Sequence, residues 1–284
     1  MDRADVAASQ RILITGAAGN MGTLLRPRLR KDGRTLRLLD LTAAPSIDGE
    51  DDSAEIVTGS VADPEVMRLA CRDVDVILHL GGLSREDTWE RISEVNITGT
   101  KTTFEAAVAT GVRRIVLASS SHVVGFRTLA KDGDDADCGL PAESGARPDS
   151  YYGVSKAAME ALGSLYHSRF GIDVICVRIG MCFERPWDQR GLGLWLSPDD
   201  AGRLFEACIA APAPGFRVIW GVSDNTRRGV SLAEAAELGY RSLDDAERFA
   251  GSIPEQGPRT GEEPPAEYVG GPWLTNPLGQ PNPL

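Results

Sequence analysis

Tyr152 and Lys156 lie four residues apart in Tyr152-Gly153-Val154-Ser155-Lys156, a spacing that on a helix puts both side chains on one face. A tyrosine hydroxyl has an unperturbed pKa of about 10, so it serves as a base at neutral pH only where a positive charge favours the phenolate. Lys156 would supply that charge. Alone, the pattern is common on surface helices, where it means an aromatic ring beside a solvated lysine. Two other segments give it chemical company. One is the serine run Ser119-Ser120-Ser121, followed by His122, at the end of an apolar stretch; the other is the glycine-rich loop Gly16-Ala17-Ala18-Gly19-Asn20-Met21-Gly22.

The glycine loop needs a strand before it and a helix after it if it is to hold a dinucleotide. Residues 11–15 are a short apolar run and residues 23–31 have a helical pattern, so the setting is present. Glycines allow the tight turn and let the backbone approach a pyrophosphate at the positive end of the helix. The spacing is G-x-x-G-x-x-G, and a purely structural loop is the plain alternative. A second strand over 35–39 ends at Asp40, eighteen residues past Gly22, where an acid would accept hydrogen bonds from the adenosine ribose. Its carboxylate would repel a 2'-phosphate, and Leu41-Thr42-Ala43 brings no arginine to offset it, so the pattern favours NAD over NADP.

Further strands are predicted near 55–57 and over 75–80, 114–118 and 173–179, alternating with helices. That alternation gives an α/β fold with a Rossmann-type, doubly wound parallel sheet, whose ligands bind at the carboxyl ends of the strands. At that edge Gly81-Gly82 would let a flat ring approach the backbone, while His79 reads as a satisfied core residue. Asp63-Pro64 is a helix start. One long helix is predicted over 89–110, with Ile92, Val95, Phe104 and Val108 inward and Gly111 as its C-cap. Asn96 within it either bonds a neighbouring strand or faces solvent. Residues 127–148 form a long loop, and Ser150 starts the helix that carries Tyr152 and Lys156 to about residue 170.

Beyond residue 180 the alternation loosens. Residues 181–196 read as a loop holding Arg185 and Arg190; helix starts follow at Ser197-Pro198 and at the capping box Ser231-Leu232-Ala233-Glu234, with a short strand at 216–220 and a short helix at 243–249. The organisation is one Rossmann-type domain over 1–284: a dinucleotide-binding core at 11–180, substrate-side elements at 181–252 and an extended, proline-rich tail at 253–284. Residues 1–10 read as a frayed lead-in and 45–53 as an acidic loop.

Composition narrows the function. The 284 residues carry 41 acids against 30 bases, a net charge of -11, which argues against nucleic acid or anionic membranes as partners. No apolar run approaches the roughly 18 residues that span a bilayer, and the first residues lack a signal-peptide pattern, so a cytoplasmic protein is expected. Five scattered cysteines and three histidines suggest neither a disulfide framework nor a metal site.

Gly16-x-x-Gly19-x-x-Gly22, Asp40, the Ser120 that precedes Val123-Val124-Gly125, and Tyr152-x-x-x-Lys156 together resemble the extended short-chain dehydrogenase/reductase superfamily, that of the NAD-dependent epimerases and dehydratases. Within it the chain is similar to the uronate dehydrogenases, which oxidise galacturonate or glucuronate at C1 to an aldarolactone with NAD. The matching segments are His79 to Ser84, Tyr152 to Lys156, Val177-Arg178-Ile179-Gly180, Trp220-Gly221, and Gly270-Gly271 with Asn276-Pro277, within about residues 11–277. The resemblance implies Tyr152 as general base, Lys156 as its electrostatic partner and ribose ligand, and Ser120 as the orienting hydroxyl. It implies a cofactor wall of Gly16, Gly19, Asn20, Met21, Gly22, Asp40, Ser60, Val61, Leu80, Gly81 and Gly82. Ser84, Ser120, Ser121, His122, Met181 and Arg190 would face the sugar, with Arg190 on its carboxylate. A homo-oligomer is implied as well. The chain departs from these relatives at Ser121, where they usually carry asparagine, at Met181, where they carry serine, and at Ser60-Val61, where they carry an Asp-Leu pair.

Two other readings share these residues. A nucleotide-sugar epimerase or dehydratase uses the same tyrosine and serine but needs a larger C-terminal portion than the 104 residues after Gly180. A protein that holds NAD as a sensor, without turnover, would need no Tyr-Lys pair.

Overall fold

The structure, a computed structural model, describes residues 10–43, 54–129, 139–254 and 268–281. The lead-in at 1–9, the acidic loop at 45–53, residues 130–138 of the long loop with Cys138, and residues 255–267 and 282–284 of the tail lie outside the described residues. Strand β1 (Gln10–Thr15) leads through the glycine loop into α1 (Asn20–Arg28), then β2 (Arg34–Asp40), β3 (Glu55–Thr58), α2 (Pro64–Ala70) and β4 (Val76–His79). Next come α3 (Trp89–Ile92), a π-helical turn (Ser93–Thr98), α4 (Gly99–Thr110), β5 (Arg114–Ser120), α5 (Tyr151–Phe170) and β6 (Asp173–Ile179). The short pair β7 (Met181–Cys182) and β8 (Trp195–Leu196) brackets α6 (Gly191–Leu194), before α7 (Pro198–Ala210), β9 (Phe216–Gly221) and α8 (Ala233–Glu237).

Seven strands form one parallel sheet in the order β3-β2-β1-β4-β5-β6-β9. The order reverses between β1 and β4, and a crevice opens beyond the carboxyl ends of strands at such a point. Thr15 and His79, the last residues of those two strands, are register partners. The sheet is covered on both faces, which explains why its strands read as unbroken apolar runs. Leu13, Ile77, Ile115 and Cys176 pack under α2, α4 and α5, where the rings of Phe104 and Tyr166 stack at 4.7 Å. Ile12, Ile14, Leu78 and Ile175, one step along each strand, pack under α1 and α7 against Leu25, Leu204 and Phe205. Cys71, Cys176, Cys182 and Cys208 are buried and unpaired.

The helix ends follow their sequence signals. Asp63 accepts hydrogen bonds from the backbone of Glu65 and Val66 with Pro64 at the first position, Ser150 caps α5 through Gly153 N–H, and Gly111 and Gly171 end α4 and α5 in the left-handed region at φ 79° and 70°.

Four local readings need correction. The helix predicted over 89–110 is broken by the π-helical turn Ser93–Thr98, and Val108 is 37% exposed while Ala106 and Ala107 are buried. The additional residue in that turn rotates everything after it by about 100°, the angle per residue of a 3.6-residue turn. Residues 181–196 carry the β7/β8 pair and α6 rather than a plain loop. The helix expected at 243–249 is a 3-10 segment at Ala246–Ser252. In the tail, Gly271–Thr275 is a 3-10 segment and Val269 is fully buried, so its described part is not simply extended. Among the described residues no helix is long and apolar enough to cross a membrane.

Candidate active site

A cleft of about 960 Å³ runs across the carboxyl ends of β1, β2, β4, β5 and β6. At one end the wall is the glycine loop. Gly16 has φ +68°, and a Cβ there would meet the backbone of Gly81 at 2.8 Å; a Cβ on Gly22 would meet the carbonyl oxygens of Gly16 and Ala17 at 2.6 Å. These glycines therefore bring the loop, the start of α1 and the end of β4 into a contact that no side chain permits. Gly19 is the N-cap of α1, with no side-chain cap and no acid in the first turn, so the positive end of the helix is left for an anion. Asp40 accepts Ala18 N–H at 2.8 Å and Leu41 N–H at 2.7 Å, which holds its carboxylate at the rim of the cleft. Gly16, Gly19, Asn20, Met21, Asp40, Ser60, Val61, Leu80, Gly81 and Gly82 all line it. Gly22 stands behind this wall as a packing residue. The cradle fits NAD.

Two buried networks hold the opposite wall. His79 Nδ1 bonds Thr15 Oγ1 at 2.9 Å and its Nε2 bonds Thr100 Oγ1 at 3.1 Å, while Thr15 Oγ1 accepts Gly81 N–H. Burial pulls the His79 pKa down to about 3, aided by the charge of Lys156, so the ring is a neutral structural group. Asn96 accepts Leu83 N–H at 2.7 Å and donates to Leu83 O and to Ser155 Oγ. The π-helical turn puts Asn96 between the Gly81-Gly82 segment and the helix of Tyr152, so it bonds the neighbouring loop instead of facing solvent.

The serine run is divided three ways. Ser119 donates to Glu160 at 2.6 Å, in a buried cluster where Arg178 grips Glu160 at 2.9 and 2.8 Å and ties α5 to β6. Ser120 lines the cleft, accepts His122 N–H at 3.2 Å, and faces the Tyr152 hydroxyl. Ser121 is fully buried behind the wall and receives Arg190 Nη2 at 3.4 Å.

Burial pushes the Tyr152 hydroxyl up to about 12, against the pull of the Ser120 hydroxyl. Lys156 is 5% exposed; burial brings it down to about 8, against the charge of Glu160, and it remains a cation at neutral pH. Its Nζ lies 5.5 Å from the Tyr152 ring centroid and donates to Ala118 O at 2.7 Å. In this geometry Lys156 stands over the Tyr152 ring and spends a hydrogen bond on Ala118 O.

Ser84, His122, Met181 and Arg190 also line the cleft, as do Arg85, Arg91 and Trp273. Arg190 is not a solvated loop residue: its Nε donates to Val269 O at 2.6 Å, so the tail fixes the guanidinium.

Three contributors have no local sequence signal. Glu86, 2% exposed, accepts the backbone N–H groups of Tyr151 (3.2 Å), Tyr152 (2.9 Å) and Gly279 (2.9 Å). Asp149 pairs with His122 Nδ1 at 2.7 Å. Trp273 stacks on His122 at 4.0 Å and lies 5.8 Å from the Tyr152 ring. The only hint of Asp149 is its place just before the helix start, and of Trp273 its being a tryptophan in a Gly/Pro-rich stretch.

Comparison with known proteins agrees with this geometry. The profile of the NAD dependent epimerase/dehydratase family matches residues 12–183. A uronate dehydrogenase of Pseudomonas syringae pv. tomato is 38% identical over 267 residues, covering 94% of each chain. Among solved structures, a glucuronic acid dehydrogenase from Chromohalobacter salexigens superposes with a TM-score of 0.86 at 35% identity, over 95% of this chain and 98% of that one. A mutant of the Agrobacterium tumefaciens uronate dehydrogenase, complexed with NAD, gives 0.84 at 36% identity over 94% and 98%.

Proposed function

The chain is a member of the NAD-dependent epimerase/dehydratase family, and on that footing we propose that it oxidises the C1 hydroxyl of a free hexuronate, galacturonate or glucuronate, to its aldarolactone. The observation that carries the reading is the meeting, in one cleft with a dinucleotide cradle, of Tyr152 and Ser120 with a guanidinium fixed from behind by Ser121 and Val269. The first pair handles an alcohol proton; the second suits a carboxylate.

NAD, when bound, supplies the hydride acceptor. Gly16, Gly19 and the open end of α1 hold its pyrophosphate, and Asp40 its ribose. Ser120 orients the substrate hydroxyl towards Tyr152, whose oxygen takes the proton. In the cleft as it stands that oxygen keeps its own proton, being pushed up to about 12 by burial. Ser120 favours the phenolate by its hydrogen bond, and the Lys156 cation over the ring would add to it. Met181, 4% exposed, presents an apolar surface on the sugar side.

The same reading puts the enzyme in the cytoplasm, where the NAD pool is, and as a homo-oligomer. Val108 on α4 and Leu165 and Phe170 on α5 leave apolar surface that association would cover.

Formation of NADH with free uronates, neutral aldoses and nucleotide sugars separates this reading from a nucleotide-sugar enzyme and from a sensor. A charge-assisted contact of about 1.5–3 kcal/mol corresponds to about ten- to 150-fold in kcat/KM. Arg190→Ala is expected to lose that much on a uronate and little on the matching aldose. Equal losses on both, or wild-type preference for the neutral sugar, overturn the assignment of an acid sugar.

A further inference from the structure

A buried carboxylate is costly to desolvate, by several kcal/mol where no cation pairs with it. Asp149 nonetheless has a side chain with no exposed surface, and the partners it bonds are His122 and Ser150. The chain closes around it. A Cβ on Gly125 or on Gly270 would overlap the carboxylate, and Gly270 N–H donates to Gly125 O at 2.9 Å across it. Three segments, the turn after β5, the approach to α5 and the tail, thus converge on one acid.

His122 stands between this acid and the cleft. Its ring is sandwiched by Trp273 at 4.0 Å and meets the Tyr152 ring edge-on at 5.9 Å. Its Nδ1 is spent on Asp149, while its Nε2 bonds none of the described residues and is not among the sealed polar atoms. Burial lowers the His122 pKa, with Arg190 pushing the same way and Asp149 and Glu86 opposing, so burial favours the neutral ring. A carboxylate can only accept. Nδ1 must therefore carry a proton, and in the neutral ring that leaves a bare lone pair on Nε2.

We propose that Asp149 is a positioning residue: it locks His122 in the Nδ1–H tautomer so that Nε2 meets the sugar as a hydrogen-bond acceptor beside Tyr152. The substrate must then offer a hydroxyl donor there, which makes this pair a specificity element separate from Arg190. The proposal rests on the reading of the cleft as a sugar site, but its first test does not.

Nitrogen-15 NMR of the histidine-labelled, ligand-free protein distinguishes the two ring nitrogens, and with three histidines His122→Gln assigns the signal. The expected spectrum shows a protonated Nδ1 and an unprotonated Nε2 for His122 at pH 7.5; an Nε2–H tautomer, or a ring protonated on both nitrogens, overturns the proposal whatever the enzyme's substrate. Turnover supplies the second test, with the uronate or other sugar that the wild type oxidises best. Asp149→Asn is expected to raise KM for the sugar about tenfold or more and leave NAD dissociation within twofold. In the His122→Gln background the same change is expected to alter KM less than threefold, since Asp149 acts through His122. Equal KM effects in both backgrounds would mean a general structural role and reject the inference. Should Asp149→Asn fold poorly, the spectrum of the wild-type protein decides, because it reads the tautomer without any substitution at Asp149.

Discussion

Glu86→Gln tests how the catalytic helix is held. The wild-type carboxylate serves three backbone donors with two oxygens: Oε1 takes Tyr151 and Gly279, and Oε2 takes Tyr152. Glutamine keeps one oxygen and replaces the other by a donor. Whichever way the amide lies, either Tyr152 N–H or the Tyr151 and Gly279 pair faces another N–H and is orphaned. An orphaned buried donor costs about 1–3 kcal/mol, and loss of a negative charge at a helix N-terminus about 0.3–1 kcal/mol more. Urea unfolding should therefore show a loss of about 1.3–4 kcal/mol with an unchanged slope. The damage is not confined to stability, because the backbone concerned carries Tyr152. A displacement of about 1 Å at a reacting group costs on the order of 10²-fold, so kcat is expected to fall ten- to a hundredfold, with NAD affinity within twofold because the glycine loop is on a different segment. An unfolding free energy within about 0.5 kcal/mol of wild type, together with a normal kcat, refutes the reasoning, since the three donors would then have other acceptors.

Tyr152→Phe removes the hydroxyl used in proton transfer and leaves the ring; kcat is expected to drop by about 10²–10⁴-fold while NAD binding, followed by calorimetry, stays within threefold. A turnover near wild type would favour a protein that holds NAD without chemistry. His79 predicts an acid sensitivity of stability. Its folded pKa, about 3, lies below the ordinary 6.5, so the unfolded chain binds more protons between those values. Stability is complete above pH 6.5 and declines towards pH 3, at up to about 1.4 kcal/mol per unit. Urea midpoints of wild type and His79→Gln between pH 7 and 4.5 should diverge, the variant having the flatter slope; parallel slopes would remove His79 as the cause.

The readable parts of the chain were those in which short-range chemistry decides the structure. The run 173–179 coincides with β6, and Asp63-Pro64 and Gly111 mark helix ends, because burial on both faces, a cap and a left-handed C-terminus each act within a few residues. The G-x-x-G-x-x-G loop, Asp40, Ser120 and Tyr152-x-x-x-Lys156 meet at one cleft because each follows, or sits at, the end of a neighbouring strand or helix start. What could not be read depends on distant partners. Glu86 finds Gly279 across 193 positions, and Arg190 finds Val269 across 79, so no periodicity announces either. The π-helical turn at Ser93–Thr98 brings Asn96 to Leu83 and Ser155, partners far along the chain, and its phase change turns Val108 towards solvent.

The buried cysteines turn the protein into its own reporter. Thiol chemistry needs the thiolate, and burial pushes Cys71, Cys182 and Cys208 up to about 12 and Cys176 well above its ordinary value, so these four thiols of the described residues are chemically silent towards alkylating reagents in the native fold. The four positions sample different depths. Cys71 and Cys176 belong to the packing beneath α2, α4 and α5, Cys208 lies in α7 on the far face, and Cys182 sits on the cleft wall, its carbonyl holding Asn20. A brief pulse of reagent, read out by mass at each site, records which layer has parted from the sheet and how often. Ligand that closes the cleft should slow the clock at Cys182 before it changes the other three.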